Sequence, residues 1–241
     1  MPEMPFSPRN TRREFLLSSI AGASLQVPAL AGALQKPAPE NEKAQGDENI
    51  SPAEDLMREH GVLNRILLIY DDHLRKLAAK RTFDGSVLAS AADVVRHFVE
   101  EYHEKLEEDF LFPRFRKAGK LVNLVDVLQT QHKAGRDLTA KIKELAGTAT
   151  LKYVSNDSDK LGDALRAFLH MYRPHEARED TVLFPAFRSI VSAHEYDALG
   201  EDFEKKEDEL FGDEGFFKVV DKVAELEKRI GIYELAQFTP K

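Results

Sequence analysis

Six residues of this 241-residue chain recur at one fixed offset, and they are of the types that hold metal ions. His60, His103 and Glu107 are answered by His132, His175 and Glu179, each 72 positions further on. The match extends past them. His103-Glu-Lys-Leu-Glu107 is followed by Leu111-Phe112-Pro113, and His175-Glu-Ala-Arg-Glu179 by Leu183-Phe184-Pro185. A histidine and a glutamate four apart on a helix share a face, about 6 Å apart along the axis, so both reach one site. A single His-x-x-x-Glu arises by chance on any charged helix. Two of them, each preceded 43 positions earlier by another histidine, do not. Four imidazoles and two carboxylates suit a pair of ions. Glu107 and Glu179 would bridge them, with His60 and His103 on one ion and His132 and His175 on the other. A solvent-derived oxo or hydroxo bridge then gives each ion about five ligands and leaves a position open. The chain has no cysteine, so only nitrogen and oxygen can ligate. That donor set favours iron or manganese over structural zinc, and an open di-iron site binds O₂, NO or peroxide.

The elements that must position these residues are helices. Ser51-Pro52-Ala53-Glu54 supplies a capping hydroxyl, a proline at the first helical position and a glutamate three residues after the cap. Leu56, Leu63, Leu67 and Tyr70 continue as a helical stripe that includes His60 and ends near Lys80. A second helix is expected from about Ser86 to Lys117, stopped by Gly119, and a third from about Lys120 to Leu145, stopped by Gly147. Val125 and Leu128 share the face of His132. A fourth helix starts at a cap among Asn156, Asp157 and Ser158, carries Leu161, Leu165, Phe168, Leu169 and Tyr172, and continues to about Ile190. Nothing alternates at period two for long enough to make a strand. The reading is all-α: an up-down-up-down four-helix bundle over residues 51–192. Pro113 and Pro185 are expected to kink or end their helices just beyond the site, and Pro174 to re-aim His175 through a local kink.

Residues 193–241 read as an extension with two shorter helices, about Glu195–Phe211 and Phe216–Gly231, and a tail. The first carries Glu201/Lys205 and Asp202/Lys206 at helical-neighbour spacing. It reads as a solvated helix packed by one edge, with a homodimer contact as the alternative use. A formal net charge of −8 argues against nucleic acid as a partner. Residues 1–33 differ from the rest. Thr11-Arg12-Arg13-Glu14-Phe15-Leu16 opens a mildly apolar run that ends in Ala29-Leu30-Ala31 and Ala31-Gly32-Ala33, both fitting a signal-peptidase site. The run is too short and polar to remain as a membrane span. It resembles a twin-arginine export signal, which implies a folded protein carried across the bacterial inner membrane to the periplasm by its dedicated machinery. Residues 34–50, with Pro37, Pro39 and Gly46, read as a linker.

The pattern of His, His-x-x-x-Glu, His, His-x-x-x-Glu, with Leu-Phe-Pro after each glutamate, resembles the hemerythrin-like, or HHE cation-binding, domain. The resemblance covers about residues 52–212 and implies a four-helix bundle around a non-haem di-iron centre, with His60, His103, Glu107, His132, His175 and Glu179 as ligands. Oxygen-carrying members have a second histidine four residues after the third-helix one, where this chain has Arg136. They place the fourth-helix acid five residues after its histidine, at Asp180 here. Repeat symmetry and one-turn geometry favour Glu179. The six-ligand version resembles members linked to iron sensing, NO chemistry and iron–sulfur cluster repair, and export argues against the last. The resemblance leaves open a sensor, scavenger or carrier, an iron store or donor, and a peroxidase or NO-reducing enzyme.

Neighbouring residues carry lesser expectations. Glu104 and Glu176 each follow a ligand histidine and point about 100° away, to an outer or solvated place, unless a shift of one recruits them as ligands. Tyr172 could donate a hydrogen bond to a bound oxygen species or serve the core, with Glu100 as its counterpart in the first repeat. Arg136 could pair with a ligand carboxylate or reach solvent. His73, His97, His170 and His194 fall off the ligand face.

Overall fold

The computed structural model of the chain describes residues 50–148, 156–212 and 214–240, so the expected signal segment and nearly all of the linker lie outside the described residues. Helix α1, Pro52–Ala78, starts where the Ser51 hydroxyl accepts the N–H of Glu54 at 3.3 Å. Pro52 costs nothing there, because its missing N–H would have had no helical partner. Helix α2 spans 85–118. Asp84 caps it by accepting the N–H of Ser86, and Gly119 ends it with a left-handed φ of 64°. Helix α3, Val122–Thr148, begins after Leu121 rather than at Lys120, and runs through Gly147 instead of stopping at it. One glycine costs a helix only about 1 kcal/mol, which tertiary packing readily offsets. Helix α4 spans 156–187.

Each of these helices packs on its two neighbours in chain order: α1 on α2 and α4, α3 on α2 and α4. That closes a four-helix bundle, and no strand occurs among the described residues. Leu56, Leu63, Leu67 and Tyr70 line the interior from α1, and Val125 and Leu128 from α3. Helices α5, Ala193–Phe211, and α6, Gly215–Ile230, cover an edge of the bundle. Helix α5 turns Tyr196, Leu199 and Phe203 inward and leaves Glu201, Asp202, Lys205 and Lys206 exposed. Arg65 on α1 holds Glu227 on α6 through two parallel bonds, at 3.0 and 2.5 Å. A short 3₁₀ turn, Leu235–Phe238, follows. No helix among the described residues is long and apolar enough to cross a membrane.

Pro113 and Pro185 disturb their helices without ending them. Neither α2 nor α4 ends at Pro113 or Pro185. Each helix widens to a π turn just before its proline, at Glu107–Leu111 and Glu179–Leu183, and then resumes as α-helix. The Phe112 N–H reaches back five residues to the carbonyl of Glu107, and Phe184 does the same to Glu179. The wider turn makes room for a pyrrolidine ring that a regular α turn would meet with a carbonyl. Pro174 lies inside a continuous α segment, Asn156–Arg178. A further π stretch, Val95–His103, exists only in α2; the corresponding part of α4 is regular α-helix.

Candidate metal centre

All six residues meet at the middle of the bundle, none more than 4% exposed. His60 comes from α1, His103 and Glu107 from α2, His132 from α3, and His175 and Glu179 from α4. Glu179 Oε2 lies 3.3 Å from His60 Nε2 and 3.1 Å from His175 Nε2. Glu107 Oε2 lies 3.2 Å from His132 Nε2, and its Oε1 lies 3.9 Å from His103 Nε2. The potential ligand atoms of Glu107, His132, His175 and Glu179 fall within 4.8 Å of one another, and those of His60, His103 and Glu107 form a second such set. Glu107 belongs to both. The carboxylate that enters the cluster from the fourth helix is Glu179, not Asp180.

The other face of each imidazole fixes its tautomer. His60 Nδ1 donates to Asp180 at 2.7 Å, His103 Nδ1 to Glu59 at 2.6 Å, His132 Nδ1 to Glu108 at 3.1 Å and His175 Nδ1 to the Gln131 amide oxygen at 2.9 Å. Carboxylate and amide oxygens only accept, so each Nδ1 carries its hydrogen and each Nε2, when its ring is neutral, offers a lone pair inward. Metal-bound histidines are oriented in this way. Sequence reasoning missed three of these four acceptors and weighed Asp180 only as a ligand. The signal that could have found them was the same repeat: Glu59 and Gln131, like Glu108 and Asp180, are 72 positions apart. So are Phe112 and Phe184, the aromatic residues of the two Leu-Phe-Pro motifs. Phe112 stacks on His132 and Phe184 on His60, both at 5.4 Å between ring centres. Each half's phenylalanine covers a histidine of the other half.

A buried cation fits this donor set. Both oxygens of Glu107, both of Glu179, and His132 Nε2 are buried without a hydrogen-bond partner. Native proteins rarely bury so many polar atoms unsatisfied in one place. Electrostatics agrees. Burial, and then the Glu179 charge, push the Glu107 carboxyl up to about 8. Burial opposes charge on His132, yet the Glu107 and Glu108 carboxylates beside it outweigh that and lift it to about 10. His103, buried and beside His60, is driven well below the usual histidine range. Without a cation the cluster satisfies itself only by dividing protons among groups that burial would rather keep neutral.

The surrounding residues are placed as follows. Glu104 and Glu176 are both buried. Glu104 accepts from the Tyr172 hydroxyl at 2.8 Å and pairs with Arg136 at 2.8 Å. The Tyr172 proton therefore points at Glu104 rather than into the cluster. Arg136 also pairs with Glu108 at 2.6 Å, so it serves two outer carboxylates and neither Glu107 nor Glu179. Glu176 accepts from Asn64 at 2.5 Å. His73 is buried against the Ile69 carbonyl, while His97, His170 and His194 are exposed.

Residues 51–187, and again 123–231, match the Hemerythrin HHE cation binding domain. The chain belongs to the hemerythrin HHE cation-binding family. The second match begins 72 positions after the first, which is the offset of the ligand repeat. The family implies binding of metal, iron in particular, and the buried histidine–glutamate cluster could hold it. Uncharacterized protein Rv1995 of Mycobacterium tuberculosis is 43% identical over 232 residues, covering 95% of this chain and 91% of the relative. Uncharacterized protein Mb2018 of Mycobacterium bovis is similar to the same extent. No solved structure is a significant match.

Proposed function

We propose that this hemerythrin-like protein carries a non-haem di-iron centre held by His60, His103, Glu107, His132, His175 and Glu179, and that it binds O₂, NO or peroxide as a sensor, scavenger or carrier. The observation that carries the reading is the double orientation of the four imidazoles: Nδ1 bonded outward, Nε2 directed at two carboxylates that have no other partner. Two irons would supply reversible binding or reduction of a small oxidant. The chain's own groups hold the rings against rotation, and Phe112 and Phe184 shield two of them. Tyr172 and Glu104 keep a proton beside His175 and His132, with Arg136 leading from Glu104 toward solvent. Arg136 in place of a further histidine removes one protein ligand, which favours sensing or scavenging over reversible O₂ carriage.

Work in the cell envelope is part of the proposal and rests on residues 1–33 alone. Replacing Arg12 and Arg13 by lysine should retain the protein in the cytoplasm; unchanged fractionation would remove the export reading. For the centre, stopped-flow spectroscopy of the reduced, iron-loaded protein separates the possible roles. Fast spectral change with O₂, NO or peroxide supports binding. Steady turnover of peroxide or NO with a reductant would make it an enzyme. Loss of iron to a chelator with the fold intact, and no response to any of the three, would make it an iron store or donor.

A further inference from the structure

Outside the centre, three carboxylates meet at the edge of the bundle. Asp55 and Glu59 lie on α1 and Glu207 on α5, with one oxygen of each within 4.8 Å of the others. We propose that Asp55, Glu59 and Glu207 form an outer site for one hard divalent cation, bound through oxygen and water. Acidic residues often crowd together on surfaces without binding anything, but this cluster is not a surface patch. Glu59 is 2% exposed; its Oε2 is taken by His103, and its Oε1 is buried with no hydrogen-bond partner. The Tyr102 hydroxyl, 1% exposed and likewise without a hydrogen-bond partner, faces the same acids. Burial first, and then the charges of Glu59, Asp55 and Glu207, hold that hydroxyl protonated.

Charge and access agree with a divalent ion. Arg58 pairs with Asp55 at 3.7 Å while lying over the Phe216 ring at 4.4 Å. Glu59 and Glu207 each lie close enough to Asp55 for the carboxyl groups to repel one another, and a divalent ion would relieve that repulsion. Glu207 is steadied from its other side by the Phe216 N–H, which donates to its Oε1 at 2.5 Å. Asp55 and Glu207 are only partly buried, so an ion can arrive from solvent and shed part of its water. Oxygen-only donors of this kind select calcium, manganese or iron(II) over metals that prefer nitrogen or sulfur. Because Glu59 touches both this site and His103, the outer ion would sit one hydrogen bond from the centre. The proposal holds whatever metal the centre contains.

Terbium(III), a hard oxygen-seeking ion, is the probe. The chain has no tryptophan, so tyrosine alone can sensitise its emission, and Tyr102 faces the site. Titration of the full protein should give tyrosine-excited emission that saturates near about one equivalent and is displaced by manganese or calcium. Glu207→Gln, and independently Asp55→Asn, should weaken terbium binding roughly tenfold or more, with iron content unchanged. Tyr102→Phe should dim the emission without weakening binding. Emission insensitive to both acid substitutions, or absent from the wild-type protein, would overturn the proposal. So would emission lost in His132→Ala but retained in Glu207→Gln, which would put terbium in the centre.

Discussion

His132 and His60 occupy equivalent places in the two halves of the bundle, yet the buried carboxylate beside each is held differently. Next to His132, Glu104 has a cation, Arg136, and a phenol, Tyr172. Beside His60, Glu176 has the Asn64 amide. Arg136 and Asn64 are themselves 72 positions apart, as are Tyr172 and Glu100. Glu100 turns to an ion pair with Arg96 at 2.8 Å. Gly135 stands where the first half has Leu63, and it has to be small: a Cβ there would lie 2.0 Å from the Tyr172 oxygen. The six inner residues and their histidine acceptors obey the repeat, while the next set out does not. The repeat keeps the buried histidine–glutamate cluster alike and makes its two flanks chemically distinct. One flank sets a cation beside its buried carboxylate and the other a neutral amide.

Breaking Arg136 tests that difference most strongly. Arg136→Ala leaves the buried Glu104 without its cation and Glu108 with Lys105 alone, and should cost about 3 kcal/mol, against about 1 kcal/mol for Asn64→Ala. Urea midpoints at fixed metal load measure both, and equal losses would mean the flanks are equivalent. Gly135→Ala should cost about 2 kcal/mol by overpacking, and less once Tyr172 is replaced by a smaller residue such as leucine. Strict additivity in that cycle would show that Gly135 is not there for the phenol.

The flanks should also differ with pH in the metal-free chain. Burial pushes Glu104 up to about 7 and Glu176 up to about 8. An unfolded glutamate loses its proton near about 4.3, so both groups make stability fall as pH rises from that value through the folded one. Glu176→Gln keeps an acceptor for Asn64 and removes this penalty. It should stabilise the chain by about 1–2 kcal/mol at pH 8, with no benefit at pH 4. Glu104→Gln should give no such gain, because Arg136 loses a partner. Thermal melts at the two pH values decide between them. The smallest expected effects mark where the halves agree: Phe112→Leu and Phe184→Leu should each cost about 1 kcal/mol and shift the centre's spectrum alike.

Much of this was legible in residue order. Caps, leucine stripes and glycine stops locate four helices because each acts within one or two turns. The six inner residues were legible because a repeat marks them twice. The π turns at 107–111 and 179–183 were not. A proline states only that a hydrogen bond is missing, and whether a helix ends, kinks or widens depends on what packs around it. The outer acceptors were hidden for a related reason. Glu59 bonds to His103 and Glu108 to His132 across different helices, so helix phase alone does not pair them. Helix α3 outruns Gly147 because a glycine there is a local cost, which packing offsets, and not a stop.

The central claim is that these six residues hold two metal ions. Elemental mass spectrometry on freshly purified protein, with its ultraviolet–visible spectrum in air, tests it most directly. About two irons per chain are expected, with charge-transfer bands, and both should be lost in a Glu107→Ala/Glu179→Ala variant that keeps its helical circular dichroism. Zinc in place of iron, no metal under gentle handling, or iron retained by that double variant would contradict it.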